Sequence, residues 1–152
     1  MTIDTDFADA AAPLPAISPD KQLLAAAEAG DIESARDALT RGANIEARDE
    51  LLTTPLMLAV FAKRPQMVHF LLANRADPLA ERASEGALHL AARVDVPEIT
   101  ETLLHHGAAG HLTLATQTTK MTPLHIAAMT GSADAARQLL QAGAAVNYRG
   151  EN

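Results

Sequence analysis

The sequence predicts an all-α solenoid of stacked helix–turn–helix units, and three observations predict it. The string Thr122-Pro123-Leu124-His125-Ile126-Ala127-Ala128 recurs upstream as Thr54-Pro55-Leu56-Met57-Leu58-Ala59-Val60, as Gly86-Ala87-Leu88-His89-Leu90-Ala91-Ala92, and faintly as Lys21-Gln22-Leu23-Leu24-Ala25-Ala26-Ala27. The copies begin at 21, 54, 86 and 122, at intervals of 33, 32 and 36 residues. A second marker begins 21 residues after each start: Gly42-Ala43-Asn44, Arg75-Ala76-Asp77, Gly107-Ala108-Ala109 and Gly143-Ala144-Ala145. Two markers that keep step four times define a repeat, because chance similarity drifts.

The best copy shows how one unit is built. Thr122 is placed as an N-cap and Pro123 takes the first helical position, where a missing N–H costs nothing. Leu124, Ala127 and Ala128 then form a small apolar stripe that lets a neighbouring helix come close. After Thr130-Gly131, Ser132 is placed to cap a second helix running to about Ala142, with Ala136, Leu139 and Leu140 on one face. Gly143 ends it, as Gly42 and Gly107 end theirs, because glycine adopts the left-handed conformation past a last helical turn without a Cβ penalty.

The Thr-Pro-Leu-His string, the paired leucines, the Gly-Ala sequel and the period near 33 together resemble the ankyrin repeat over about residues 21–149. The resemblance implies β-hairpin-like finger loops between helix pairs, a curved slab, and protein binding on its concave face. It also implies that His89 and His125, at one repeat position, have a structural hydrogen-bonding role, and that Met57 lacks it.

Taken in order, residues 1–17 carry Pro13 and Pro15 without helical periodicity and are expected to be a flexible acidic leader. The array then occupies 18–152, with repeats at about 18–48, 49–80, 81–116 and 117–149. Ser18-Pro19 opens a helix to Ala29, and Asp31 caps the next, which Arg41-Gly42 closes. Repeat one matches worst and suits a terminal cap. In repeat two, Lys63-Arg64 and Arg75 stand where the family pattern has glycines and a histidine, so its helix end is expected to be weaker. Pro65 and Pro97 start the second helices of repeats two and three. The interval of 36 puts three extra residues between Gly110 and Lys120, expected at the tip of the third finger. Residues 146–152 read as the start of another finger, so either the array continues or repeat four is its own cap.

Composition narrows the function. The chain is 48% hydrophobic but 3% aromatic, so its core is alanine and leucine. It has no cysteine, so disulfides and thiolate chemistry are excluded. No membrane-spanning run or secretory signal is present, which predicts a cytoplasmic location. Residues 1–50 hold eleven acids against four bases, a net charge of −7, and the rest of the chain balances at zero. Such an end repels phosphate backbones and favours a basic protein segment over nucleic acid. No serine lies in a Gly-x-Ser-x-Gly setting and no phosphate loop or His-Glu-x-x-His is present. His105 and His106 are adjacent on a helix, about 100° apart, which suits chelation poorly. His69 is expected in solvent on an outer helix face. The expectation is a monomeric, non-catalytic module without metal or cofactor.

Carried from the ankyrin pattern onto this register, the concave contacts are Phe61, Ala62, Arg93, Val94, Met129 and Thr130, with Glu28 in repeat one. Phe61, Val94 and Met129 are expected to form an apolar stripe. The finger contacts are Arg48, Asp49, Glu50 and Leu51, then Glu81, Arg82 and Glu85, then Thr118, Thr119 and Met121. An adaptor or inhibitor is the reading preferred, and a structural end segment of a longer array the alternative.

Overall fold

The computed structural model describes residues 17–144; the expected leader and the start of a further finger lie outside the described residues. Four helix pairs follow one another: α1 (Pro19–Ala29) with α2 (Ile32–Thr40), α3 (Pro55–Phe61) with α4 (Pro65–Ala73), α5 (Ala87–Val94) with α6 (Pro97–His105), and α7 (Pro123–Thr130) with α8 (Ala133–Gln141). The first helices α1, α3, α5 and α7 stack side by side in one layer, and α4, α6 and α8 stack in a second layer behind them. The chain is therefore an all-α solenoid. The core between the layers is continuous, and where first helices meet it is lined by Ala26, Ala27, Ala59, Val60, Ala91, Ala92 and Ala127.

Local chemistry explains where each helix begins. The Ser18 hydroxyl accepts from the Lys21 N–H (3.2 Å), the Asp31 carboxylate from the Ser34 N–H (3.1 Å), and the Thr54 hydroxyl from the Met57 N–H (3.3 Å). Pro65 and Pro97 occupy first helical positions, as expected. Ser132 does not cap α8. Its hydroxyl is taken by Thr130 (2.7 Å), and the α8 amide of Ala135 instead donates to the carboxylate of Asp95, one repeat upstream (3.0 Å). A helix of repeat four is thus capped by repeat three.

The ends of both helices follow the repeat. The turn residues Gly30, Lys63, Asp95 and Gly131 all take positive φ, at 76°, 58°, 52° and 73°. So do the residues that end the second helices, Gly42, Arg75, Gly107 and Gly143, at 94°, 69°, 101° and 103°. Repeat two meets both positions without glycine, at roughly 1 kcal/mol each.

Two expected apolar positions are exposed, Ala128 and Leu140. Their counterparts Val60, Ala92 and Leu72 are buried. The upstream residues are covered by the following repeat, and no further helix pair follows α8 among the described residues.

The connectors form the fingers. The first closes with the Asp49 N–H donating to the Thr53 carbonyl (3.1 Å). The second is a two-stranded antiparallel hairpin, β1 (Glu81–Arg82) and β2 (Glu85–Gly86), turned by Ala83 and Ser84 at positive φ. The third closes with the Thr116 N–H donating to Met121 (3.0 Å). From Gly42 to the tip at Asp49 is seven residues and from Gly107 to Thr116 is nine, whereas the tips differ by one residue (49–53 against 116–121). The expectation of three extra residues at the tip is therefore corrected: two lie at the base. There a short 3-10 turn (Ala108–His111) buries Ala108, His111 and Leu112, and this burial orders the added length. The His111 ring lies where a Cβ on Gly86 would come within 2.7 Å, so only glycine fits opposite it.

Replacing Arg75 with glycine should raise stability by up to about 1 kcal/mol in urea unfolding, by removing the left-handed strain at the end of α4. A lower midpoint would contradict that assignment.

Candidate protein-interaction surface

The concave row is set by the repeat register. Position eight of each copy is Glu28, Phe61, Arg93 and Met129, at the end of each first helix, and all four are exposed. Phe61 and Met129 are 63% and 65% exposed, large apolar side chains left in water. The expected stripe of Phe61, Val94 and Met129 is broken in the middle. Val94 is one residue, about 100°, further round its helix, three residues after buried Ala91 and four after buried Leu90, so it packs against the core. Arg93 is the true counterpart of Phe61 and Met129. The row reads acid, aromatic, base, apolar.

The fingers bring further residues beside this row. A cleft of about 280 Å3 lies between the second and third fingers, lined by Arg82, Glu85, Arg93, Thr118, Thr119 and Met129 among others, with Met121 and buried Ile126 also on its walls. Inside it one carboxylate bridges two guanidinium groups: Glu85 Oε1 lies 2.8 Å from Arg93 Nη2, and Glu85 Oε2 lies 3.2 Å from Arg82 Nη2. Arg82 also donates to the Thr53 hydroxyl of the preceding finger (3.1 Å). The arrangement fixes both arginines and leaves the cluster one positive charge in excess.

Other expected contact residues have structural tasks. Arg48 donates to the carbonyls of Leu52 (2.8 Å) and Glu81 (2.9 Å), tying the first finger to the second. Asp49 closes its finger by accepting from the N–H groups of Leu51 and Thr53. Burial pushes the Asp49 carboxyl up, but the hydrogen bonds from Thr53 and Leu51 outweigh it and hold the group below the ordinary aspartate value. Thr130 donates back to the Ile126 carbonyl (2.9 Å), and Ala62 is the half-buried residue that follows the end of α3. Glu81 pairs with His111 (3.3 Å), and Thr119 bonds Thr116 (2.6 Å). Glu50 and Leu51 are exposed at the first tip. Leu52 beside them, 59% exposed at φ 62°, was not anticipated; a Leu-Leu pair at a turn was the available signal.

The histidines divide as their positions suggest. His89 is fully buried; its Nδ1 accepts from the Gly86 N–H (3.2 Å), so Nε2 carries the ring proton and donates to the Leu114 carbonyl of the third finger (2.8 Å). His125 Nδ1 lies 3.2 Å from the Thr122 N–H and 2.9 Å from its hydroxyl. In repeat two Met57 is buried without that bond. His69 is exposed, its ring 6.4 Å from His106. Among the described residues no group of three histidines and carboxylates is placed to hold a metal ion. No helix among them is long and apolar enough to cross a membrane.

A family model for ankyrin repeats matches residues 23–113 and 79–150 of this chain. The chain belongs to the ankyrin-repeat family, whose repeats are protein–protein interaction modules and typically not catalysts. It is similar to the mouse (Mus musculus) "B-cell lymphoma 3 protein homolog", 33% identical over 105 residues, 68% of this chain and 23% of that protein. It is similar also to the rat (Rattus norvegicus) "Nuclear factor NF-kappa-B p105 subunit", 36% identical over 104 residues, 68% of this chain and 11% of that protein. A third relative, "Alpha-latrocrustotoxin-Lt1a" of Latrodectus tredecimguttatus, is 29% identical over 103 residues, 68% of this chain and 7% of that protein. The chain thus spans less than a quarter of the length of these curated relatives.

Burial holds His89 below its ordinary pKa of 6.5, with neighbouring His111 adding to the effect, against the opposing pull of the Leu114 carbonyl, Glu85 and Glu81. Because the folded state resists the proton that the unfolded chain accepts, His89 contributes stability above pH 6.5 that is lost as pH falls through its lowered folded value. Thermal melts of the wild type should decline over that range, and those of His89→Gln should be flatter, though about 1–2 kcal/mol less stable at neutral pH. Parallel pH profiles would contradict this role.

Proposed function

We propose that this array is a monomeric, non-catalytic adaptor or inhibitor of the cytoplasm that holds a protein partner on its concave face and fingers. The observation that carries the reading is the exposure of Phe61 and Met129 on either side of Arg93, in one row and beside the finger cleft. A large apolar group within a polar surround is the composition of an interface centre, where one or two anchors supply most of the binding energy. The acidic end supports a basic segment of the partner over repeat one and the first finger, where Glu28 and Glu50 are exposed. The exposure of Ala128 and Leu140 favours a second reading, in which the chain is the end segment of a longer array.

The test is recovery of partners in a pull-down. Phe61→Ala and Met129→Ala should each lower it at least tenfold, about 1.4 kcal/mol or more, with the melting temperature unchanged, since both side chains are exposed. Equal recovery by wild type and both variants would remove the concave-face reading.

A further inference from the structure

The row Glu28, Phe61, Arg93 and Met129 has both a charge order and a spacing. Its members sit at equivalent positions on first helices that stack side by side, and packed helices lie about 8–10 Å apart. A partner crossing the repeats must present one side chain per step of that length. An extended strand places same-face side chains roughly 6.6 or 13.2 Å apart, because successive residues rise about 3.3 Å and alternate faces, so it falls out of step. An α-helix rises 1.5 Å per residue, so residues seven apart are separated by about 10.5 Å and share a face. The helix comes within about 0.5–2.5 Å of the step, nearer than the strand does.

Charge sets the register. Arg93 forms one hydrogen bond among the described residues, to Glu85, and so keeps guanidinium donors for an incoming carboxylate without displacing Glu85. Glu85 is shared between Arg82 and Arg93, so the cleft has one positive charge in excess. At about 280 Å3 it is smaller than ordinary cofactor sites and suits a side chain with its neighbour. Met121, Ile126 and Met129 give it an apolar side for the aliphatic stem.

We infer that the concave row receives an amphipathic α-helix of the partner protein, whose residues at seven-residue spacing are basic over Glu28, apolar over Phe61, acidic over Arg93 and apolar over Met129. The acidic side chain enters the cleft between the second and third fingers. The inference rests on the concave-face reading above and adds to it the partner's secondary structure, charge order and register.

The probe is a synthetic alanine-rich helix of about 28 residues with Lys, Leu, Glu and Leu at successive seven-residue intervals. Its controls are the same peptide with Lys and Glu exchanged, and one with a central proline that breaks the helix. Fluorescence anisotropy on the whole chain should give at least tenfold tighter binding for the matched peptide than for either control. Arg93→Gln should reduce the charge preference to the part that Glu28 supplies and Arg93→Glu should abolish it, with unchanged melting curves for the Gln variant. Equal affinity for matched and exchanged peptides that is still lost in Phe61→Ala would overturn this inference and leave the concave-face reading standing. Binding insensitive to Phe61→Ala and Met129→Ala would overturn both, and no binding of the matched peptide up to about 1 mM would overturn the inference.

Discussion

The close approach of neighbouring first helices is the constraint on which the molecule depends. Each of these helices is short, too short to persist alone in water. Each is held because the small buried side chains Ala26, Ala27, Ala59, Ala91, Ala92 and Ala127 let it lie close against the next. Chain order then becomes spatial order, and stability becomes a sum over neighbouring pairs. A row of surface residues follows from the same constraint, because position eight of every copy must point the same way.

Apolar packing alone would let such layers slide, and polar ties across repeat borders fix their register. Asp95 of repeat three caps α8 of repeat four, the His89 ring joins α5 to the third finger, and Gln138 donates to the Pro97 carbonyl (3.0 Å). Arg64 reaches back to the Glu28 carbonyl (3.2 Å), and Arg48 joins the first two fingers. Repeat two lacks the buried histidine and has non-glycine residues at both of its helix-end positions of positive φ, yet arginines supply ties on both sides of it. That division explains why a repeat with weak local signals still takes its place in the stack.

What could be read from the residues was whatever the period repeats. Helix pairs, proline starts and glycine ends recur at fixed offsets, so one good copy explains the others. What escaped reading depends on contacts between copies. Ser132 looks like a cap, but a carboxylate 37 residues upstream takes the task. Val94 looks like a surface apolar residue, but a 100° step turns it onto the core, and Arg93 becomes the centre of the row. The extra residues of the third connector look like a longer tip, but a buried 3-10 turn absorbs two of them. Arg48 and Asp49, read as contact residues, also build the fingers through hydrogen bonds that the period does not reveal.

Native-state hydrogen exchange comparing wild type with Asp95→Ala, and with Asp95→Asn as a control that keeps an acceptor and tolerates the left-handed φ of 52°, tests the stacked arrangement most directly. Stacking with a cap supplied across the repeat border predicts faster exchange in α8 of Asp95→Ala, by about 1 kcal/mol of lost protection, while α1 to α4 keep their wild-type rates and the asparagine variant changes little. Uniform loss of protection through all eight helices, or no change in α8, would contradict it.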